Sequence, residues 1–317
     1  MTQTPLLEIR HLKKYFDTPA GLLHAVDDVS FSIQPGETLG VVGESGCGKS
    51  TLGRTILRLV EPTSGEIFYK GEDITKYDRR RMLKLRTQLQ MIFQDPYASL
   101  NPRLSVSEII AEPLIVSRAY RHAQDRDNRV LELMDTVGLA RRLENSYPHE
   151  LDGGRRQRIG IARALATDPQ FIVCDEPVSA LDVSIQAQIL NLLMDLQEER
   201  GLSYLFITHD LSVVKHISSH IAVMYLGECV EFAPTRELFS SPRHPYTRAL
   251  LAAIPVIDIT QKGKDRDIIQ GEVVSPINPA PGCRFYPRCP RACEACRSAQ
   301  TLHSVGEGHF VACCREE

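Results

Sequence analysis

A run of nine residues near the N-terminus has the composition and spacing of a phosphate-binding loop. The run reads Gly43, Glu44, Ser45, Gly46, Cys47, Gly48, Lys49, Ser50 and Thr51, which fits the pattern G-x-x-x-x-G-K-[ST]. Glycines let the backbone turn tightly, so that successive N–H groups point at phosphate oxygens. Lys49 then reaches the β- and γ-phosphates, and the Ser50 hydroxyl takes a Mg²⁺ position. The structural alternative is a chance glycine turn before a helix.

Two neighbouring acids, Asp175 and Glu176, end a strongly apolar segment that begins near Phe171. Carboxylates at the end of a buried strand cost free energy unless a partner compensates them. A Mg²⁺ ion bound by Asp175, directly or through water, and an attacking water deprotonated by Glu176 would account for both acids. The structural alternative is an acid pair that caps the next helix.

Three further polar positions can serve the same phosphate chemistry, although each is a weak signal alone. Gln94 ends a predicted strand and can contact Mg²⁺ or position a water, but glutamine is also a common surface residue. His209 ends another predicted strand and can contact a γ-phosphate, but a lone histidine is usually a satisfied polar residue. The segment Asp152, Gly153 and Gly154 opens a predicted helix, whose N-terminus suits an anion.

Strands and helices alternate around these positions. The hydrophobic pattern predicts strands at 37–42, 89–93, 170–174 and 203–208, and helices at 51–59, 151–166 and 185–200. Alternating apolar and polar residues predict antiparallel strands within 6–35 and a last hairpin about Gly227. Helical spacing over 104–146 interrupts the alternation, which predicts a helical subdomain at about 95–165.

The composition argues against several classes of protein. The chain has 317 residues, of which 24% are charged and 43% hydrophobic, as in ordinary globular proteins. The formal net charge of −3 gives no indication of nucleic-acid binding. No apolar run approaches the roughly 18 residues of a membrane helix, and residues 1–10 lack the features of a secretory signal. We therefore expect a cytoplasmic protein that other proteins can hold at a membrane.

In order and spacing, residues 6–240 resemble the ATP-binding subunit of ABC transporters. The loop 43–51 resembles Walker A, and residues 171–176 resemble Walker B with its catalytic glutamate. Residues 151–158 resemble the signature sequence, and residues 179–182 resemble the D-loop. Gln94 resembles the Q-loop glutamine, and His209 resembles the switch histidine. The resemblance implies that Lys49, Gln94, Glu176 and His209 act in ATP hydrolysis, and that Ser50, Gln94 and Asp175 hold Mg²⁺. It also implies that Phe16 stacks on adenine, with Tyr15 as the alternative.

The C-terminal part narrows this resemblance. Residues 241–247, the leucines that follow, and the segment 272–313 resemble the C-terminal extension of dipeptide and oligopeptide importer ATPases. The tail and the residues 176–179 look most like the second ATPase of the dipeptide importer pair. Related importers of nickel or glutathione share much of this pattern, so they stay as alternatives.

The signature sequence departs from the family pattern at two positions. Asp152 stands where the family has a serine, and Arg155 where it has a glutamine. The family serine donates a hydrogen bond to the γ-phosphate across a dimer interface, which an ionised aspartate cannot do. Like charges about 4 Å apart repel by roughly 4 kcal/mol at an intermediate dielectric. We expect Arg155 to offset part of this repulsion by pairing with Asp152 or with the phosphate.

Six of the nine cysteines lie between Cys283 and Cys314. In a reducing compartment such a cluster more often marks a metal site than disulfides. The order of Cys283, Cys289, Cys296 and Cys313 resembles four tail cysteines of peptide-importer ATPases, for which a [4Fe–4S] cluster is implied in some members. Four thiolates also suit structural Zn²⁺, and unligated thiols stay possible. Cys293 and Cys314 leave the choice of ligands open.

Taken together, the resemblance implies a RecA-like α/β P-loop core with an antiparallel β subdomain, a helical subdomain and a cysteine-bearing extension at 241–317. It implies an ATPase that drives import of short peptides, with ATP and Mg²⁺ bound between two subunits. The expected partners are a second, different ABC ATPase, two membrane permeases and an extracytoplasmic solute-binding protein, with no nucleic acid. The expected location is the cytoplasmic face of the plasma membrane. The alternative from another class is a non-transport ABC ATPase.

Overall fold

The computed structural model describes residues 4–254, 271 and 274–315. The predicted tail segment 272–313 therefore begins outside the described residues. The strands are β1 (Leu7–Thr18), β2 (Gly21–Ile33), β3 (Thr38–Val42), β4 (Ser64–Tyr69), β5 (Glu72–Asp73), β6 (Leu89–Ile92), β7 (Phe171–Asp175), β8 (Ser203–Ile207), β9 (His220–Tyr225), β10 (Glu228–Pro234), β11 (His303–Gly306) and β12 (His309–Val311). The expected α/β class is thus confirmed.

Helices occupy much of the rest of the described chain. The α-helices are α1 (Lys49–Ile56), α2 (Arg79–Leu85), α3 (Val106–Ser117), α4 (Ala123–Thr136), α5 (Gly153–Leu165), α6 (Val183–Arg200), α7 (Leu211–Ile217), α8 (Thr235–Ser240) and α9 (Pro245–Ala252). Single turns of 3₁₀ helix occur at Arg141–Leu143, Pro148–Glu150, Tyr286–Arg288 and Glu294–Arg297. None of these described helices combines the length and apolar character of a membrane span.

The chain forms two compact units. The first, here called the loop unit, comprises Met1–Ile33, Thr38–Thr75 and Thr208–Glu317. The second, here called the acid unit, comprises Gln34–Glu37 and Lys76–Ile207. The described part of the C-terminal extension therefore belongs to the same compact unit as the predicted phosphate loop.

A four-stranded antiparallel sheet in the loop unit has the strand order β2-β1-β4-β5. Its alternating pattern buries one face, where Leu7, Ile9 and Ile33 are at most 1% exposed. Along the β2 edge, the N–H of His24 donates to the carbonyl of Pro276 at 3.1 Å, and the N–H of Asn278 donates to the carbonyl of Leu22 at 2.9 Å. A short piece of the extension thus runs antiparallel to β2.

The second sheet region of the loop unit has the order β11-β12-β10-β9-β3. The parallel pair β3 and β9 carries the phosphate loop at its carboxyl end, and β9 and β10 form the hairpin predicted about Gly227. The expectation that this hairpin is the last was wrong, because β12 pairs with the far edge of β10 and β11 follows it. Two short strands of the extension therefore continue the sheet.

The acid unit contains the parallel strands β6, β7 and β8 in the order β8-β7-β6. Every residue of β7 and β8 is buried, as expected for parallel strands covered on both faces. Ser105 caps α3 in a reciprocal capping box with Glu108, which explains where this helix starts. Helices α3, α4 and α5 pack together here, at the residues where the sequence predicts a helical subdomain.

Candidate functional site

The predicted phosphate loop connects β3 to α1, in the strand–loop–helix context that the pattern requires. Gly48 has φ +102°, and a Cβ atom there would lie 1.9 Å from the carbonyl oxygen of Ala25. Gly43 has φ +154°, and its Cβ would lie 2.2 Å from the carbonyl oxygen of Met224. Only glycine fits between these backbone groups, so the two residues fix the path of the loop.

Lys49 lies inside the loop and is only 5% exposed. Its Nζ donates to the carbonyl oxygens of Gly43 at 2.8 Å and Glu44 at 2.9 Å. Ser50 and Thr51 follow in the first turn of α1, where N–H groups and the positive end of the helix favour an anion. A buried cation, a glycine loop and hydroxyls at a helix start are the donor set that fits a nucleotide triphosphate and its Mg²⁺.

The thiol of Cys47, within the same loop, lies in an environment that makes it unreactive. Burial raises the pKa of its thiol, although the nearby Lys49 opposes the shift. The side chain is 3% exposed, and reactive cysteines need a lowered pKa and access. Cys47 therefore contributes its backbone to the loop, where its carbonyl accepts a hydrogen bond from the N–H of Gly227 at 2.8 Å.

His209 lies beside the strand that leads into the phosphate loop. The N–H of Thr208 donates to the carbonyl of Val41 at 3.1 Å, near the carboxyl end of β3. His209 comes next in the chain, and it is exposed. The predicted switch histidine and the phosphate loop thus share one end of β3.

The two aromatic candidates for adenine stacking have different surroundings. The Tyr15 ring already stacks on His24, with 4.0 Å between ring centroids, and its hydroxyl donates to Asp27. Burial and this hydrogen bond raise the pKa of Tyr15. Phe16 is half-buried, with the ammonium group of Lys14 4.7 Å from its ring centroid. Because the Tyr15 ring has an internal partner, the arrangement favours Phe16.

In the acid unit, the predicted catalytic glutamate and the Q-loop glutamine are in contact. Gln94 Nε2 donates to Glu176 Oε2 at 3.1 Å. Asp175 ends β7 and is fully buried, whereas Glu176 follows it with φ +46°, in the left-handed region that side-chain residues rarely adopt. Strained backbone of this kind concentrates at functional sites, and the sequence pattern gave no sign of it.

The segment that resembles the signature sequence forms the start of α5. Asp152 caps the helix, since its Oδ1 accepts a hydrogen bond from the N–H of Arg155 at 2.8 Å. The Arg155 side chain also approaches Asp152, with 3.4 Å between Nε and Oδ2. Arg155 was expected to pair with Asp152 or with the phosphate, and the structure shows the pairing with Asp152. Gly154 has no room for a side chain, because a Cβ would lie 2.7 Å from Ile185.

The tail cysteines gather around Cys296. The sulfurs of Cys293, Cys296 and Cys314 lie 3.5–3.7 Å from one another, and they are the described cysteines close enough to share one ion. Of the four cysteines predicted as ligands, Cys296 belongs to this group. The other three predicted ligands are Cys283, Cys289 and Cys313. The pKa of Cys283 is raised to about 11, mainly by burial, and the neighbouring thiols Cys296, Cys289 and Cys313 raise it further by smaller amounts. Among the described cysteines, the close group thus shares one member, Cys296, with the four predicted ligands.

Three residues of the extension reach the phosphate-loop region, and the sequence analysis assigned none of them to the nucleotide site. The Tyr246 hydroxyl accepts a hydrogen bond from the N–H of Glu44 at 2.9 Å. Arg288 pairs with the Glu44 carboxylate, and Arg284 binds Asp27. These partners lie up to 257 positions away in the sequence, so local patterns could not have predicted the contacts.

Comparison with known proteins identifies two families along the chain. The ABC transporter family matches residues 26–179, and the family described as oligopeptide/dipeptide transporter, C-terminal region, matches residues 230–296. The oligopeptide transport ATP-binding protein OppF of Bacillus subtilis is 59% identical over 80% of this chain and 83% of its own length. The dipeptide transport ATP-binding protein DppF of Haemophilus influenzae is 50% identical over 98% of this chain and 96% of its own.

Solved structures show the same fold. A dimeric post-hydrolysis state of the ATP-binding cassette MJ0796, bound to ADP and Pi, aligns with a TM-score of 0.67 and 32% identity over 73% of this chain and 99% of that one. The CbiO1 protein of Clostridium perfringens, part of the ABC transporter complex CbiONQ, aligns with a TM-score of 0.66 and 27% identity over 75% and 91%. The chain therefore belongs to the family of ABC transporter ATP-binding subunits that carry the oligopeptide/dipeptide transporter C-terminal region.

Proposed function

We propose that this chain hydrolyses ATP to power the import of dipeptides and oligopeptides through a membrane ABC transporter. The match of residues 230–296 to the peptide-transporter C-terminal region carries the substrate class. The contact between Gln94 and Glu176 supports hydrolysis as well as binding. ABC subunits for other solutes, such as nickel or glutathione, are the alternative to be separated by experiment.

Each residue has a distinct part in the proposed hydrolysis. The loop N–H groups and Lys49 bind the β- and γ-phosphates, while Phe16 stacks on adenine. Ser50, Asp175 and Gln94 would hold Mg²⁺, which neutralises charge on the phosphates when bound. Glu176 accepts a proton from the attacking water, and Gln94 holds this carboxylate in place. His209 contacts the γ-phosphate, so that catalysis consists mainly of positioning and charge stabilisation.

The first test compares Glu176→Gln with Glu198→Gln in the complete transporter in vesicles. Glu198 is exposed on α6 and provides a matched loss of one carboxylate. We expect Glu176→Gln to lower peptide-stimulated ATP hydrolysis by about 100-fold, the usual contribution of a general base, while Mg–ATP binding persists. Uptake of labelled dipeptide and tetrapeptide should fall in parallel. Uptake of nickel or glutathione instead of peptides would refute the substrate class.

As partners we propose two membrane permeases, an extracytoplasmic solute-binding protein and a second, different ABC ATPase. A transporter ATPase works on permease subunits, and ATP is available on the cytoplasmic face of the plasma membrane, where we place the chain. The argument for a different ATPase is the altered signature sequence. A homodimer would bring Asp152 towards the phosphates of both ATP sites, whereas a partner with a serine there leaves one site unaltered.

The asymmetric pair predicts unequal ATP sites. The site with this chain's Lys49 and Glu176 would hydrolyse ATP against the partner's signature sequence, and the opposite site would be weakened by Asp152. Asp152→Ser should therefore raise turnover of the assembled complex about twofold, as a second site becomes active. Asp125→Ser, which removes an exposed aspartate of α4, is the control. Unchanged turnover with Asp152→Ser, together with half the activity in Glu176→Gln, would contradict the asymmetry.

We further propose that the tail cysteines bind a [4Fe–4S] cluster, with Zn²⁺ as the alternative. The proposed ligands are Cys283, Cys289, Cys296 and Cys313, and the neighbouring sulfurs of Cys293 and Cys314 are the competing choice. Four thiolates in a small tail suit either group. Protein purified without oxygen should contain about four iron atoms per chain and absorb light near 400 nm, as expected for one [4Fe–4S] cluster. A colourless protein with one Zn²⁺ would exclude the cluster.

A further inference from the structure

The C-terminal extension holds the phosphate loop through a charged residue that the hydrolysis reaction does not use. This residue is Glu44, which directly follows Gly43 in the loop. Its side chain is 27% exposed. Its carbonyl oxygen accepts a hydrogen bond at 2.9 Å from Lys49 Nζ, the ammonium group expected to reach the phosphates. An uncompensated carboxylate there would repel the phosphates, so its partners affect nucleotide binding directly.

Arg288 neutralises this carboxylate from the extension. Its Nη1 donates to Glu44 Oε2 at 2.9 Å and its Nη2 to Oε1 at 3.1 Å, which is a two-pronged pair. The Arg288 side chain is only 7% exposed, and the hydrogen bonds to Glu44 raise its pKa further. Arg288 also donates to the Tyr225 hydroxyl at 3.3 Å, which anchors it on β9. Three hydrogen bonds therefore hold the Arg288 guanidinium in one orientation against the Glu44 carboxylate.

Tyr246 holds the backbone of the same residue. Its hydroxyl accepts the N–H of Glu44 at 2.9 Å, and its ring is completely buried between Tyr225 and Phe285. Because Phe285 also belongs to the extension, both contacts to Glu44 depend on how this tail packs. Side chain and backbone of one loop residue are thus held by two different parts of the chain.

Arg284 secures the other side of the phosphate loop. It donates to the carbonyl of Leu226 and to Asp27, and it pairs with Glu228 at 3.0 Å. Leu226 begins the turn that contacts the loop, since the N–H of the next residue, Gly227, donates to the carbonyl of Cys47. Two arginines four residues apart therefore support both flanks of one loop.

We infer that Arg288 and Tyr246 are positioning residues for ATP, through which the C-terminal extension sets the affinity of the phosphate loop. This inference rests on the proposed ATP-binding function and adds a role for the extension. Arg288 cancels the Glu44 charge, and Tyr246 fixes the Glu44 N–H, so the loop reaches its binding conformation before ATP arrives. Nucleotide affinity then depends on the packing of a tail whose Arg288 and Tyr246 act on the loop through Glu44.

The test measures the Kd of the full-length chain for Mg–ATP by equilibrium dialysis. Arg288→Gln should raise the Kd about tenfold, as expected for the loss of a charge-assisted pair. Arg288→Lys keeps the charge and should stay closer to the parent protein. Glu44→Gln removes the repelling charge, so the double variant Arg288→Gln, Glu44→Gln should recover most of the affinity. A purely structural role of Arg288 would not be rescued in this way.

Two further variants complete the experiment. Arg297→Ala removes an exposed arginine of the same tail and should leave the Kd unchanged. Tyr246→Phe removes one oxygen atom and should raise the Kd about threefold, the effect of one ordinary hydrogen bond; this variant decides the matter if Arg288→Gln does not fold. Unchanged affinity in Tyr246→Phe, or failure of Glu44→Gln to rescue, would overturn the inference. Absent peptide uptake by the parent complex would instead count against the proposed function.

Discussion

At the scale of single residues, the candidate site depends on backbone positions that tolerate little change. Gly48 combines a positive φ with a backbone oxygen at the place of its missing Cβ. Glu176 has a positive φ despite its side chain, next to the buried Asp175. The first position lets the loop pass close to the Ala25 carbonyl, and the second sets the backbone from which the Glu176 carboxylate extends. Both residues therefore combine a place in the predicted ATP site with a positive φ angle.

The phosphate loop gives a prediction about Gly48. Gly48→Ala should lower the free energy of unfolding by more than the ~1–2 kcal/mol of left-handed strain, because the new Cβ also meets the Ala25 oxygen. Mg–ATP binding should be lost with it. Gly36→Ala provides the control, since Gly36 has φ +74° and no atom within 4 Å of its Cβ position. Equal destabilisation of the two variants in urea, followed by circular dichroism, would contradict the packing argument.

At the scale of elements, the start of α9 is held by a buried histidine. The N–H of Tyr246 donates to His244 Nδ1 at 3.1 Å, so this nitrogen must be unprotonated. Burial lowers the pKa of His244 to about 4, although the nearby Glu231 opposes the shift. Tyr246 is the second residue of α9. The His244 cap therefore lies directly beside the tyrosine whose hydroxyl accepts the N–H of Glu44.

This histidine predicts a pH dependence of stability. The unfolded chain takes up a proton near the ordinary pKa of His244, about 6.5, whereas the folded chain resists it until about 4. The free energy of unfolding should therefore fall as the pH drops from about 6.5 to about 4, by up to about 3 kcal/mol. His244→Asn keeps a capping acceptor without titrating. Urea unfolding of this variant should depend less on pH in that window, and equal slopes would refute the assignment.

At the scale of the whole molecule, the extension is built into the loop unit through a buried charged network. Glu231 of β10 is fully buried, and it accepts hydrogen bonds from His309 at 2.8 Å and from the N–H groups of Arg243 and His244 at 2.7 and 2.9 Å. Burial alone would raise the pKa of Glu231, but these hydrogen bonds lower it overall. One side chain thus joins β10, β12 and the start of α9.

Removing this carboxylate should detach the end of the extension. Glu231→Ala leaves several buried donors without an acceptor and should cost about 3 kcal/mol. Hydrogen exchange of the β12 amides should rise sharply, while that of β7 in the acid unit changes little. Glu307→Ala removes an exposed acid from the neighbouring turn and should leave exchange unaltered. Unchanged protection of β12 in Glu231→Ala would show that the network is not what holds the strand.

How far the sequence predicts this structure depends on the distance between interacting residues. The phosphate loop and the strand before Asp175 follow from local patterns, because glycine spacing and apolar runs act within about ten residues. The strands β11 and β12 have only four and three residues, and they form because the edge of β10 is available. The pair between Glu44 and Arg288 joins residues 244 positions apart, which no local pattern records.

The short run at residues 276–278 has a consequence for solubility. It covers part of β2, an outer strand of the four-stranded sheet, and Asn278 Oδ1 also accepts the N–H of Leu22 at 2.9 Å. Uncovered outer strands invite pairing with another chain, and prolines beside a covering segment stop further pairing. Pro276 begins this segment and Pro279 directly follows it. The extension therefore protects the ATPase against edge-to-edge aggregation, which is a reason for its presence that is independent of nucleotide and cysteines.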